Sequence, residues 1–168
     1  MTIGYPDLAA LPPELRDAVT KHGSLNVYRM IMHSPGLASG FLALAGAVLQ
    51  SNSLPAHWRE LAILRVGHAY EAEYEVHHHE NLARWAGLSE AAMAAAGTGA
   101  TDSLPEHEAA ILRWTDLLLA DHALGEEVLE LLTVTQLADP VITVGFYQLV
   151  CNFLNTYHVT TGGEGQPA

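Results

Sequence analysis

The longest unbroken pattern in the chain is AHWRELAILRVGHAYEAEYEVHHHENLARWAG, residues 56–87. Leu61, Leu64 and Val66 carry apolar character through its first part. Val76, Leu82, Ala83 and Ala86 carry it through the second, and Gly87 stands where a helix C′ stop belongs. Gly67 lies between the two parts and marks a break. A stretch this long at helical period points to two consecutive helices.

The rest of the chain is punctuated the same way. Pro12-Pro13 opens a short helix that ends near Gly23, and LNVYRMIMH follows and stops before Pro35. GLASGFLALAGAVLQ is apolar nearly all round, so burial is expected, and SNSLP is a loop. Ser89 caps an Ala-rich helix, and Ser103-Leu-Pro-Glu106 has capping-box spacing ahead of a helix running to Ala120. Asp139-Pro140 reads as the start of a final helix. No strand-turn-strand pattern and no repeat of 20–50 residues occurs. The expectation is an all-α fold in one domain, residues 1–168, with 160–168 a loose tail.

Composition narrows the partners. Apolar residues make up 49% and charged residues 15%, the balance of a globular chain. A formal net charge of −12 with seven Lys+Arg leaves no basic stripe, so no nucleic acid and no anionic membrane is expected as a partner. The apolar run 36–49 is too short to span a bilayer, and the first residues lack a signal-peptide pattern, so the expected location is cytoplasmic. Cys151 is the single cysteine, which excludes an internal disulfide and a resolving thiol pair.

The chemistry concentrates in EYEVHHHE, which holds Glu73, Glu75, Glu80 and the consecutive His77, His78 and His79. On a regular helix successive residues are rotated by about 100°, so the three imidazoles cannot converge on one ion. Positions three and four apart share a face, which pairs Glu75 with His79 and with His78. Leu82, Ala83, Ala86 and Val76 lie in the arc that holds Glu75 and His79, so these two face the interior or a cleft, and His77 faces away. A carboxylate beside a poorly solvated imidazole can hold or pass a proton near neutral pH. The competing readings are an ordinary solvated ion pair and a weak E-x-x-x-H metal site. The isolated His22, His57, His68, His107 and His122 read as surface residues.

Residues 59–95 resemble the carboxymuconolactone decarboxylase family, which shares its fold with alkyl hydroperoxidase D-like proteins. The resemblance rests on Arg59-Glu60-Leu61 and the following ILRV, on Tyr74-Glu75-Val76, on His79, and on Ala83 with Ala86-Gly87-Leu88-Ser89. Flanking segments extend it over residues 30–159. It implies an all-α helical bundle with a central helical hairpin, assembled as a homo-oligomer, often a trimer or hexamer. It also implies that Glu60 and His79 are family site positions. Ala72 and Glu75 occupy the places of the two cysteines of the peroxidase branch's C-x-x-C. Thiol-based peroxide reduction needs an attacking thiolate, so the resemblance implies a non-peroxidase branch. Val76 stands where that branch often has Trp, a departure that bears on pocket shape.

Two functional classes follow. The first is a cofactor-independent acid–base enzyme, a decarboxylase-like lyase or isomerase acting on a small carboxylated or carbonyl-bearing compound. Glu60, Glu75 and His79 would be catalytic, and Tyr74, His78 and His33 would bind substrate. The second is a protein holding a divalent metal through Glu60, Glu75 and His79, with a non-catalytic small-molecule-binding oligomer as a third reading. In one straight helix Glu60 and Glu75 would lie about 22 Å apart. They can share a site only if the chain turns within residues 67–72.

Overall fold

The computed structural model describes residues 3–129 and 133–164. Its elements are α1 (Pro13–Lys21), α2 (Asn26–Ile31), α3 (Pro35–Gln50), α4 (Ala56–Ala69), α5 (Glu73–Trp85), α6 (Glu90–Thr98), α7 (Glu106–Ala120), α8 (Glu126–Leu129) and α9 (Val134–Tyr157), after a 3₁₀ turn at Leu8–Ala10. The fold is all-α, with no strand among the described residues.

Helix α4 is the axle. It packs against α5, α9, α7 and α6. Its ELAILRVG run is apolar apart from Glu60 and Arg65, and Leu61, Ala62, Ile63, Leu64 and Val66 are all buried. Each large side chain of this kind contributes ~1.5–3 kcal/mol on burial. Glu60 sits in the same run and is equally buried, at 1% exposed. A carboxylate so placed needs partners.

The turn expected within residues 67–72 is present. Helix α4 ends at Ala69, Glu71 takes a left-handed conformation (φ +52°), and α5 starts at Glu73. Ala72 N–H donates back to Gly67 O at 2.9 Å. Asn155 on α9 donates to Tyr70 O at 2.7 Å, so the last helix ties down the turn. Gly67 lets α4 and α5 close up. A Cβ there would lie 3.1 Å from Val76 Cγ2 and 3.8 Å from Glu75 Cβ. Gly87 (φ +89°) ends the hairpin's second arm, with Leu88 N–H bonded to Ala83 O.

Several local expectations are corrected. Helix α9 starts at Val134, not at Asp139-Pro140. Thr133 and Gln136 form a reciprocal capping box, and Pro140 lies inside the helix. Asp139 instead accepts Ser53 N–H at 2.6 Å, which pins the loop before α4. Ser103 does not cap α7, because Pro105 itself takes the N-cap position. Helix α3 is not buried all round. Ala38, Leu42, Ala45 and Val48 pack inward, while Leu37 is 71% exposed and Leu44 also faces out.

Helix α9 is the one described helix long and apolar enough to cross a membrane. Here it supplies core side chains, with Val144, Phe146, Tyr147, Val150, Cys151 and Leu154 buried. The tail is docked over 160–164, against the expectation of looseness. Asn26 Nδ2 donates to Thr160 O (2.7 Å) and Gly162 O (2.9 Å), and Asn26 N–H donates to Glu164 Oε1 (2.8 Å). The remainder of that expectation, residues 165–168, lies outside the described residues.

Candidate active site

The hairpin brings Glu60, Glu75 and His79 together. His79 Nδ1 donates to Glu60 Oε2 at 2.6 Å. On the opposite edge of the ring, Nε2 lies 2.9 Å from Glu75 Oε1. That second contact is close enough for an ion pair but out of line for a hydrogen bond, and Glu75 Oε1 is buried without a hydrogen-bond partner. Arg59 completes the row by donating to Glu60 Oε1 from Nε (3.2 Å) and Nη2 (3.1 Å).

Burial alone would lower the His79 pKa. The Glu75 charge and the hydrogen bond to Glu60 outweigh it and raise the pKa to about 9. His79 is therefore an imidazolium at neutral pH, held between two carboxylates. Arg59 and His79 balance Glu60 and Glu75, so the row carries no large net charge.

This row opens on a cavity of about 310 Å³. Its wall is mostly apolar, from Leu25, Val27, Phe41, Ala45, Phe146 and Val150, and Glu75, His79, His78 and Tyr74 supply polar groups. Glu60 lies behind His79 and does not line the cavity. Sequence reasoning missed two phenols in the wall, Tyr28 and Tyr147. Tyr147 packs edge-on against the His79 ring at 5.0 Å between centroids. Burial and then the Glu75 charge raise the pKa of both phenols, so both stay protonated donors. Single aromatic residues on apolar helices read as core, and no spacing signal distinguished these two.

The remaining expected residues divide. His77 is exposed, as helical rotation required. Tyr74 and His78 pack with their rings tilted, centroids 4.5 Å apart, and line the cavity. The structure does not bring His33 there. Its Nε2 bonds with Gly4 O at 2.8 Å, and its ring stacks on Tyr157. Cys151 is fully buried, and burial followed by the Glu75 charge raises its pKa, so it is a protonated thiol.

The donor set does not fit a metal ion. Nδ1 and Nε2 lie on opposite edges of the imidazole, so Glu60 and Glu75 cannot join one His79 nitrogen around a single ion. Among the described residues no group of three His, Cys, Asp or Glu side chains is arranged to hold a metal.

Comparison with known proteins fits this geometry. The carboxymuconolactone decarboxylase family (CMD) matches residues 35–117. No curated protein matches the chain. Among solved structures, the chain is similar to an alkylhydroperoxidase AhpD core, an uncharacterized peroxidase-related protein from Ralstonia eutropha JMP134. The TM-score is 0.83 at 20% identity, covering 96% of this chain and 92% of that one. That identity shows the fold alone. The single cysteine leaves no C-x-x-C pair. Residues 35–117 thus match the carboxymuconolactone decarboxylase family, on a fold of the AhpD-core type.

Proposed function

We propose that the protein is a cofactor-independent acid–base enzyme, a decarboxylase-like lyase acting on a small, largely apolar compound that bears a carboxylate or carbonyl. One observation carries this: a buried imidazolium between two carboxylates, one of which has an unpartnered oxygen at the wall of an apolar cavity. In a decarboxylation, the electron pair of the breaking C–C bond moves into an adjacent carbonyl and leaves an enolate as carbon dioxide departs. The Tyr28 and Tyr147 hydroxyls would donate to that enolate oxygen. The Glu75–His79 couple would then deliver the proton to carbon, with Glu60 as a positioning residue that orients the ring. Isomerisation would use the same couple with the proton removed first.

The comparison protein's peroxidase-related description suggests a rival reading for this chain. It is disfavoured because the only thiol is buried and protonated, whereas peroxide attack needs an accessible thiolate. A homo-oligomer forms part of the proposal. Leu37 and Leu44 on α3 and Val141, Ile142 and Leu149 on α9 are exposed apolar side chains that a second copy would cover.

The test is a screen of small lactone and keto acids, followed by His79→Gln on any substrate found. Turnover should fall by at least about a hundredfold, the general acid–base contribution, with the helical circular dichroism signal unchanged. Full activity in that variant overturns the assignment.

A further inference from the structure

Two polar residues of the cavity wall, Tyr74 and His78, are already engaged by the chain's own tail. The Glu164 carboxylate accepts hydrogen bonds from Tyr74 Oη and from Asn26 N–H (2.8 Å), and its second oxygen lies 3.0 Å from His78 Nε2. The Glu164 side chain is 13% exposed, so these contacts replace most of its water. Tyr74 Oη also accepts from Val27 N–H at 3.2 Å, which fixes the phenol with its proton toward Glu164. Arg29, on the same helix as Asn26, holds the Asn26 side chain through Nη1–Oδ1 (3.1 Å), and its buried Nε has no partner. Two hydrogen-bond donors and an imidazole at ion-pair distance, whose Nε2 makes no hydrogen bond, converge on one carboxylate, with the Arg29 guanidinium on the helix that supplies the Asn26 N–H; together they make an anion receptor. Tyr74, His78 and Val27 belong to the cavity wall as well. Asn26 and Glu164 lie outside the residues that match the family.

We infer that Tyr74, His78 and Asn26 N–H form a carboxylate-binding subsite, and that Glu164 is a tethered occupant which a small carboxylate ligand must displace. The inference rests on reading the cavity as a site for a small carboxylated compound. It also accounts for how such an anion is received near Glu60 and Glu75: its charge is met by the donors that already hold Glu164. A tethered ligand competes at an effective concentration set by its short connection, without being consumed. A tail docked on the order of 90% of the time weakens apparent ligand affinity about tenfold.

Benzoate, with neutral benzamide as control, is the probe. Calorimetric titration should show benzoate binding about tenfold tighter to Glu164→Ala than to the unmodified protein, with benzamide little changed. Tyr74→Phe in the Glu164→Ala background should cancel the gain. In the unmodified protein, saturating benzoate should shift the backbone amide resonances of Gly162 and Glu164 toward random-coil positions, a readout that needs no variant to fold. Benzoate affinity unchanged by Glu164→Ala, an equal gain for benzamide, a gain that survives Tyr74→Phe, or tail amides unmoved at saturation each overturns the inference. Binding is read without turnover. A protein that binds as described yet turns over nothing refutes the enzyme reading alone. An active one whose benzoate affinity ignores Glu164 refutes this inference alone.

Discussion

The proton on His79 should be measurable as stability. Its pKa rises from 6.5 to about 9 on folding, burial opposing and the Glu75 charge and the Glu60 hydrogen bond prevailing. A group whose pKa is raised by folding stabilises the native state fully below its unfolded value, and that contribution is lost as pH climbs through the folded value. The window therefore runs from about pH 6.5 to about pH 9. A gap of roughly 2.5 at about 1.4 kcal/mol per pH unit amounts to ~3 kcal/mol. No discount for solvent screening applies, since His79 is buried. Urea unfolding of the wild type and of His79→Gln at several pH values between 6 and 10 measures it. The wild type should lose ~3 kcal/mol more than the variant across that range. In parallel, the His79 ring carbon resonance should titrate near pH 9 in the folded protein. Superimposable pH profiles for the two proteins, together with a ring titrating near 6.5, would refute the carboxylate–imidazolium–carboxylate reading.

Two further outcomes test the scaffold. Gly67→Leu should force α4 and α5 apart at the point where even a Cβ meets Val76 at 3.1 Å; melting should show a loss of ~1–3 kcal/mol, and turnover should fall as the 2.6 Å Glu60–His79 contact opens. Leu37→Glu combined with Leu44→Glu should shift the sedimentation velocity to a smaller species while helicity is kept, and a mass identical to the wild type would remove α3 from the interface.

The Glu75–His79 pair was legible because it obeys a local rule. Glu75 and His79 are four residues apart on one helix, and the apolar arc around them gave the inward face. Glu60 needed the resemblance together with a turn, and Gly67 with Glu71 supplied that turn. What escaped were relations between distant segments. Tyr28 and Tyr147 reach the cavity from α2 and α9, more than a hundred residues apart, and each reads as core on its own helix. Glu164 sits in TTGGEGQPA, whose glycines suggest looseness, yet Asn26 pulls two of its carbonyls inward. Thr133-x-x-Gln136 was a capping box in plain view, but the Asp139-Pro140 pair looked like the stronger start. The outer face of α3 was misjudged because an apolar helix reads the same whether a neighbouring helix or another molecule covers it.

The Glu60 carboxylate is full. Arg59 claims one oxygen and His79 the other. Were the proposed reaction run here, the proton relay would end at Glu60 behind the imidazole, and its open side would be the Glu75 side. In the proposed reaction a carbon atom held in the cavity would receive its hydrogen from that side. The handedness of a product formed that way would be set by how the ligand lies against the phenylalanines and tyrosines, before a proton moves at all.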